Sequence, residues 1–125
     1  MPPSPPVTGP RSEAATLPAP LVIQRAVAAC QRGELREARE LCRTLLELQP
    51  NHFEALYLAA IVEGQSGNAQ QAAELFSRAV SVNPASADAH FNRGVALGEL
   101  ARLEEAVASY DRAIALKADY ADAHY

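Results

Sequence analysis

The 125-residue chain holds one lysine, one methionine and no tryptophan, and no apolar run approaches the roughly 18 residues a membrane-spanning helix needs. Its N-terminus lacks the charged-then-apolar order of a secretory signal. Eleven basic residues against fifteen acidic ones leave a formal charge of −4, which argues against the basic stripe of a nucleic-acid binder. Only Cys30 and Cys42 are present, in no Cys-x-x-Cys pair. They read as small buried hydrophobes in a reducing compartment, the cytoplasm by default, rather than as a disulfide or redox pair. Ten of the eleven basic residues are arginine and alanine is abundant, a bias of GC-rich bacterial coding.

Catalytic constellations are missing as well. His52, His90 and His124 lie 38 and 34 residues apart, so packing or surface roles outweigh metal ligation. Glu104 and Glu105 are adjacent on one expected helix and diverge, and no glycine-rich phosphate loop is present. No enzyme activity, cofactor or metal is expected.

What the chain does have is a period. Slid against itself by 34 residues, the stretch from Asn51 to Pro84 matches what lies on both sides. Small residues recur at Ala26, Ala60 and Gly94 and at Ala38, Ala72 and Ala106; larger ones recur at Cys42, Phe76 and Tyr110. A turn residue recurs as Gly33, Gly67 and Ala101, and a helix stop as Pro50, Pro84 and Ala118. Each period therefore reads helix, tight turn, helix, break, a unit that buries its apolar face only against the next copy.

This pattern resembles the tetratricopeptide repeat over roughly residues 20–118, most specifically in the second unit. The resemblance implies an all-α, right-handed solenoid of three stacked helix-turn-helix hairpins (20–50, 51–84, 85–118) plus the start of a fourth at 119–125. Residues 1–19 hold six of the nine prolines and almost no large apolar side chain, so a disordered tail is expected.

Helices are expected from Pro20 to Gln31 or Arg32, Leu35 to Leu48, Phe53 to Ser66, Ala69 to Val82, Ala87 to Leu100 and Leu103 to Leu116. The second should bury Ala38, Leu41, Cys42, Leu45 and Leu48. Asn51 and Glu54 have the spacing of a helix cap. Arg32, Arg36, Arg39 and Arg43, interleaved with Glu34, Glu37 and Glu40, suggest a solvated face with intrahelical ion pairs. Glu63 stands where the flanking units carry Ala29 and Leu97, and is expected to reach solvent along the helix edge. Gly94 and Gly98 mark a small-residue packing site. Ala101, in place of a turn glycine, is expected to take a strained positive φ.

In the resembled family the first helices of successive hairpins line a concave groove that holds a peptide or a partner helix. Carried over position by position, the groove comprises Ile23, Val27, Tyr57, Ile61, Phe91 and Val95, flanked by Gln24, Leu58 and Asn92. Glu54, Asp88 and Glu99 form an acidic edge with Gln31 and Gln65, which favours an apolar segment with basic flanks. A carboxylate clamp of the chaperone-tail type is not expected, because Ile23, Val27, Leu58 and Asp88 occupy its positions. Asn92 looks like one rung of the asparagine ladder found in arrays attached to O-linked N-acetylglucosamine transferases, and only that rung is present, because Gln24 and Leu58 occupy the matching places. Three readings follow: a non-catalytic scaffold or adaptor, the recruiting arm of a larger enzyme, or a scaffold assembling through its own uncapped C-terminal end. That end predicts either further repeats in a longer parent or self-association.

Overall fold

The computed structural model describes residues 17–123, with side chains as far as Ala118. Most of the expected tail, residues 1–16, lies outside the described residues, as do His124 and Tyr125. The described chain is helical with no strands: α1 (Ala19–Gln31), α2 (Leu35–Leu48), α3 (Phe53–Gln65), α4 (Ala69–Val82), α5 (Ala87–Glu99) and α6 (Leu103–Ala123). Each helix packs on its neighbours in the chain, and α1 also meets α3. Three antiparallel hairpins stack in sequence as a helical solenoid.

The turns repeat in detail. At the end of α1 the amide of Glu34 donates to the carbonyl of Ala29 at 2.8 Å and that of Gly33 to Cys30 at 3.0 Å. Asn68 and Gly67 reproduce this after α3, and Arg102 and Ala101 after α5. This paired closure requires a left-handed residue just past the helix end. Gly33 and Gly67 supply it at φ 76° and 85°, and Ala101 is forced to φ 59°.

The starts of α3 and α5 rest on side chains. His52, rather than the expected Asn51, caps α3 by accepting the Ala55 amide on Nδ1 at 3.2 Å, and Ser86 caps α5 in the same way toward Ala89. His90 reaches the carbonyl of Pro84 at 3.0 Å, which ties it to the loop before its own helix. The last helix departs from the expected boundary: α6 runs unbroken through Ala118 to Ala123. Pro50 and Pro84 follow the ends of α2 and α4, but alanine keeps its amide donor and imposes no stop.

The core lies between helices rather than at a centre. One cluster joins Val22, Ile23 and Ala26 of α1 to Leu41, Cys42 and Leu45 of α2 and Ala55 of α3. A second joins Ala60, Ala72 and Phe76 to Ala96, Leu97 and Ala106, so the repeating small residues meet as expected. Burying side chains such as Leu41, Leu45 and Leu56 contributes about 1.5–3 kcal/mol each. A Cβ on Gly94 would come within 2.8 Å of the Tyr110 ring, whereas one on Gly98 would meet nothing. Gly94 alone of that pair is a packing site. Leu48, expected inside, is 60% exposed on the edge of α2, and Thr44 is buried instead.

Two charged residues also fall otherwise than expected. Glu63 does not reach solvent: it is buried, accepting from Arg39 Nε at 2.8 Å and from Asn68 Nδ2 at 2.7 Å. Arg39 therefore leaves the intrahelical charge ladder, in which Arg43 still meets Glu40, and ties the first hairpin to the second.

Candidate partner-binding groove

The groove is built where α3 and α5 lie side by side over α4. The small residues Ala60, Gly64, Ala72 and Ala96 leave room there for a cleft of about 260 Å3, walled by Ile61, Gln65, Phe76, Asn92, Val95 and Glu99. Its lining combines apolar surface with a few polar groups, the usual composition of a binding site. Three of the expected groove residues, Ile61, Asn92 and Val95, meet here.

Tyr57 is tied to the same site. Asn92 donates from Nδ2 to the Tyr57 hydroxyl at 2.9 Å and to the Asp88 carbonyl at 3.0 Å, bridging α3 and α5. The Tyr57 ring lies between Phe53, stacked at 6.0 Å, and Phe76, edge-on at 5.8 Å. Burial and the nearby Asp88 charge push the phenol above its ordinary range, outweighing the stabilising Asn92 donor. Tyr57 is therefore neutral and half-buried beside the cleft at physiological pH. Phe91, 50% exposed, leans on Tyr110 at 5.4 Å, and Val95 is 38% exposed. Aromatic pairs of this kind hold their rings in place at little further entropic cost.

The first hairpin contributes differently. Ile23 is enclosed in the core between α1, α2 and α3, and Val27 packs half-buried against that core, as does Leu58 from α3 of the second hairpin. Gln24 and Gln31 are exposed on α1, and Glu54, Asp88 and Glu99 are exposed on α3 and α5. The apolar strip is accessible at the second and third hairpins and closed over at the first.

The sequence reading missed the wall residue Phe76, taken there only as a packing residue. It also missed a larger cleft of about 460 Å3 between α2 and α4, where Arg39, Arg43 and Arg78 face Glu47, Glu63 and Glu74 over Leu46, Ala59 and Leu75. The signal was present at Ala59, whose counterpart one repeat later is Arg93. There Arg93 fills the corresponding space, donating to Ser77 and Ser109 at 2.8 Å each.

Among the described residues no group of three or more His, Cys, Asp or Glu side chains could hold a metal ion, and no helix is long and apolar enough to cross a membrane. Burial pushes the thiol of Cys42 up to about 12 with a smaller contribution from Cys30, which fits a packing role.

The repeat geometry and the sequence agree on a class: the tetratricopeptide repeat profile matches residues 57–123, and the chain belongs to that family. Among solved structures it is similar to a mutant O-GlcNAc transferase of Thermobaculum terrenum, at 28% identity and TM-score 0.76, over 91% of this chain and 21% of the transferase. It thus spans about a fifth of that enzyme's length. MamA superposes with TM-score 0.79 at 19% identity over 90% of this chain and 71% of MamA. The first such repeat domain of Spaghetti (RPAP3), solved with an HSP90 peptide, gives TM-score 0.75 at 22% identity over 78% of each chain. A search among curated proteins finds no significant match.

Proposed function

We propose that the groove between α3 and α5 holds an apolar segment of a partner protein, as an extended peptide or a helix, and that the chain acts as a non-catalytic scaffold or adaptor. The observation that carries this is the cleft walled by Ile61, Phe76 and Val95 beside the fixed Tyr57–Asn92 pair. Exposed apolar surface next to a small number of oriented polar groups is how helical grooves take amphipathic segments. Phe91 extends the contact surface, and Val27 of the first hairpin and Leu58 of the second support it. The exposed carboxylates Glu54, Asp88 and Glu99, with the overall charge of −4, favour basic flanks on the ligand. They disfavour an acidic C-terminal tail, and Ile23 is too enclosed to help hold a carboxylate.

The likeness to the transferase over 91% of this chain supports a second reading, in which the array recruits substrates for a larger enzyme. Both Nδ2 hydrogens of Asn92 are already engaged, so this residue offers a peptide backbone its Oδ1 as an acceptor. A glycosyltransferase domain in the parent gene would decide for this reading.

The test is a peptide-display selection on the purified chain, followed by calorimetry with Ile61→Asp and Val95→Asp. Apolar peptides with Lys or Arg flanks should emerge, and each variant should weaken binding at least about tenfold with the helical signal unchanged. Acidic peptides, or binding indifferent to both variants, would overturn the proposal.

A further inference from the structure

The direction of the hydrogen bond between Tyr57 and Asn92 is fixed by chemistry. One amide atom of Asn92 touches both the Tyr57 hydroxyl at 2.9 Å and the Asp88 carbonyl at 3.0 Å. A carbonyl only accepts, so that atom is Nδ2, and Nδ2 only donates. The Tyr57 oxygen is therefore the acceptor, and its own hydrogen stays available to a third group. Asn92 Oδ1 is left as an acceptor. Among the described residues neither the Tyr57 hydroxyl hydrogen nor Asn92 Oδ1 is engaged. Asn92 lines the apolar cleft and Tyr57 stands beside it, its ring held between Phe53 and Phe76. The two residues thus offer one donor and one acceptor side by side in a fixed place.

Backbone chemistry selects what matches them. In a helix each interior N–H is bonded to the carbonyl four residues back, so a docked helix has no such pair to give. In an extended chain one residue turns its N–H and its C=O to the same side, as at the hydrogen-bonded positions of an antiparallel sheet. The match occurs once. At the preceding junction the places of Tyr57 and Asn92 are taken by Ile23 and Leu58, neither of them polar.

We infer that the Tyr57–Asn92 pair grips the main chain of one residue in an extended ligand, Asn92 Oδ1 accepting its N–H and Tyr57 donating to its C=O, while a neighbouring apolar side chain enters the cleft. The inference rests on the groove reading and narrows it, since it makes the ligand an extended segment and leaves the side chain of the gripped residue unread.

The test takes the tightest-binding peptide from the display selection and replaces each of its amides in turn by an ester, which removes one N–H. Calorimetry on the purified chain should find one position at which the ester weakens binding about three- to tenfold, the strength of one neutral hydrogen bond. That penalty should disappear in Asn92→Ala. Tyr57→Phe should weaken the parent peptide by a similar factor with the helical signal unchanged. A flat ester series, a penalty that persists in Asn92→Ala, or full affinity in Tyr57→Phe would overturn the inference. So would losses at many positions independent of Asn92, which mark a helical ligand losing its own bonds. If Ile61→Asp and Val95→Asp still weaken binding in those cases, the groove reading stands and only the backbone grip falls. A selection that returns no peptide, or peptides whose binding ignores both variants, overturns the two together.

Discussion

Arg39 Nε lies 2.8 Å from Glu63 Oε1 and joins the first hairpin to the second through a carboxylate that is 10% exposed. One repeat later the corresponding pair is Ala73 and Leu97, both buried and apolar. The same junction is thus built once from charge and once from hydrocarbon. Glu63→Leu strands the Arg39 guanidinium and should cost about 1–3 kcal/mol in urea unfolding. The double change Arg39→Ala with Glu63→Leu copies the next junction and should lie closer to the parent than Glu63→Leu alone. A double variant less stable than that single one would show that the ion pair is irreplaceable here.

Ala101 sits at φ 59° in a closure that uses glycine in the other two hairpins. Ala101→Gly should raise stability by roughly 0.5–1 kcal/mol, seen as a melting point a few degrees higher. An unchanged or lower melting point would mean that the turn carries no strain.

Gly94 and Gly64 separate space from propensity. Alanine at 64 would meet Ala72 Cβ at an ordinary 3.9 Å, so Gly64→Ala should gain up to about 1 kcal/mol from helix propensity. Alanine at 94 would come within 2.8 Å of Tyr110, which Phe91 backs. Gly94→Ala should therefore lose about 1–2 kcal/mol despite the same propensity gain. It should also change near-ultraviolet dichroism as Tyr110 moves. Equal melting-point gains in both variants would refute the packing argument.

The Cys42 thiol, raised from 9.0 to about 12, makes stability fall in alkali. The folded state keeps a proton that the unfolded chain releases at lower pH. Stability is intact below about pH 9 and declines as pH climbs toward 12, by up to about 1.4 kcal/mol per unit. Cys30 and Tyr57, also raised by burial, act in the same direction. Cys42→Ala should lower stability at pH 7 and flatten the decline above pH 9. A decline of equal slope in that variant would assign it elsewhere.

The fold was legible because its information is periodic. Residues 34 apart share environments, and the turns at Gly33, Gly67 and Ala101 close through the same pair of backbone bonds. What escaped depends on contacts between periods. Glu63 looked like an exception within its own helix, and its partner Arg39 lay 24 residues away among charges that seemed to satisfy one another locally. The cap moved from Asn51 to His52 because an imidazole nitrogen accepts an amide as well as a carboxamide oxygen does. Likewise, Ile61, Asn92 and Val95 were read as groove residues and do line the cleft, but periodicity could not reveal that Ile23 is closed over. That follows from α1 meeting α3 at the first junction.

The turn at Ala101 also gives the array a direction. In a linear stack each hairpin is held only by its neighbours, and resistance to opening is nearly a sum of local terms. Among the described hairpins the third alone closes through an alanine in a glycine's conformation, so its turn is the one that opens most readily. Amide exchange should be faster around that turn than around Gly33 and Gly67, which makes one of three equivalent joints the weak link of the stack.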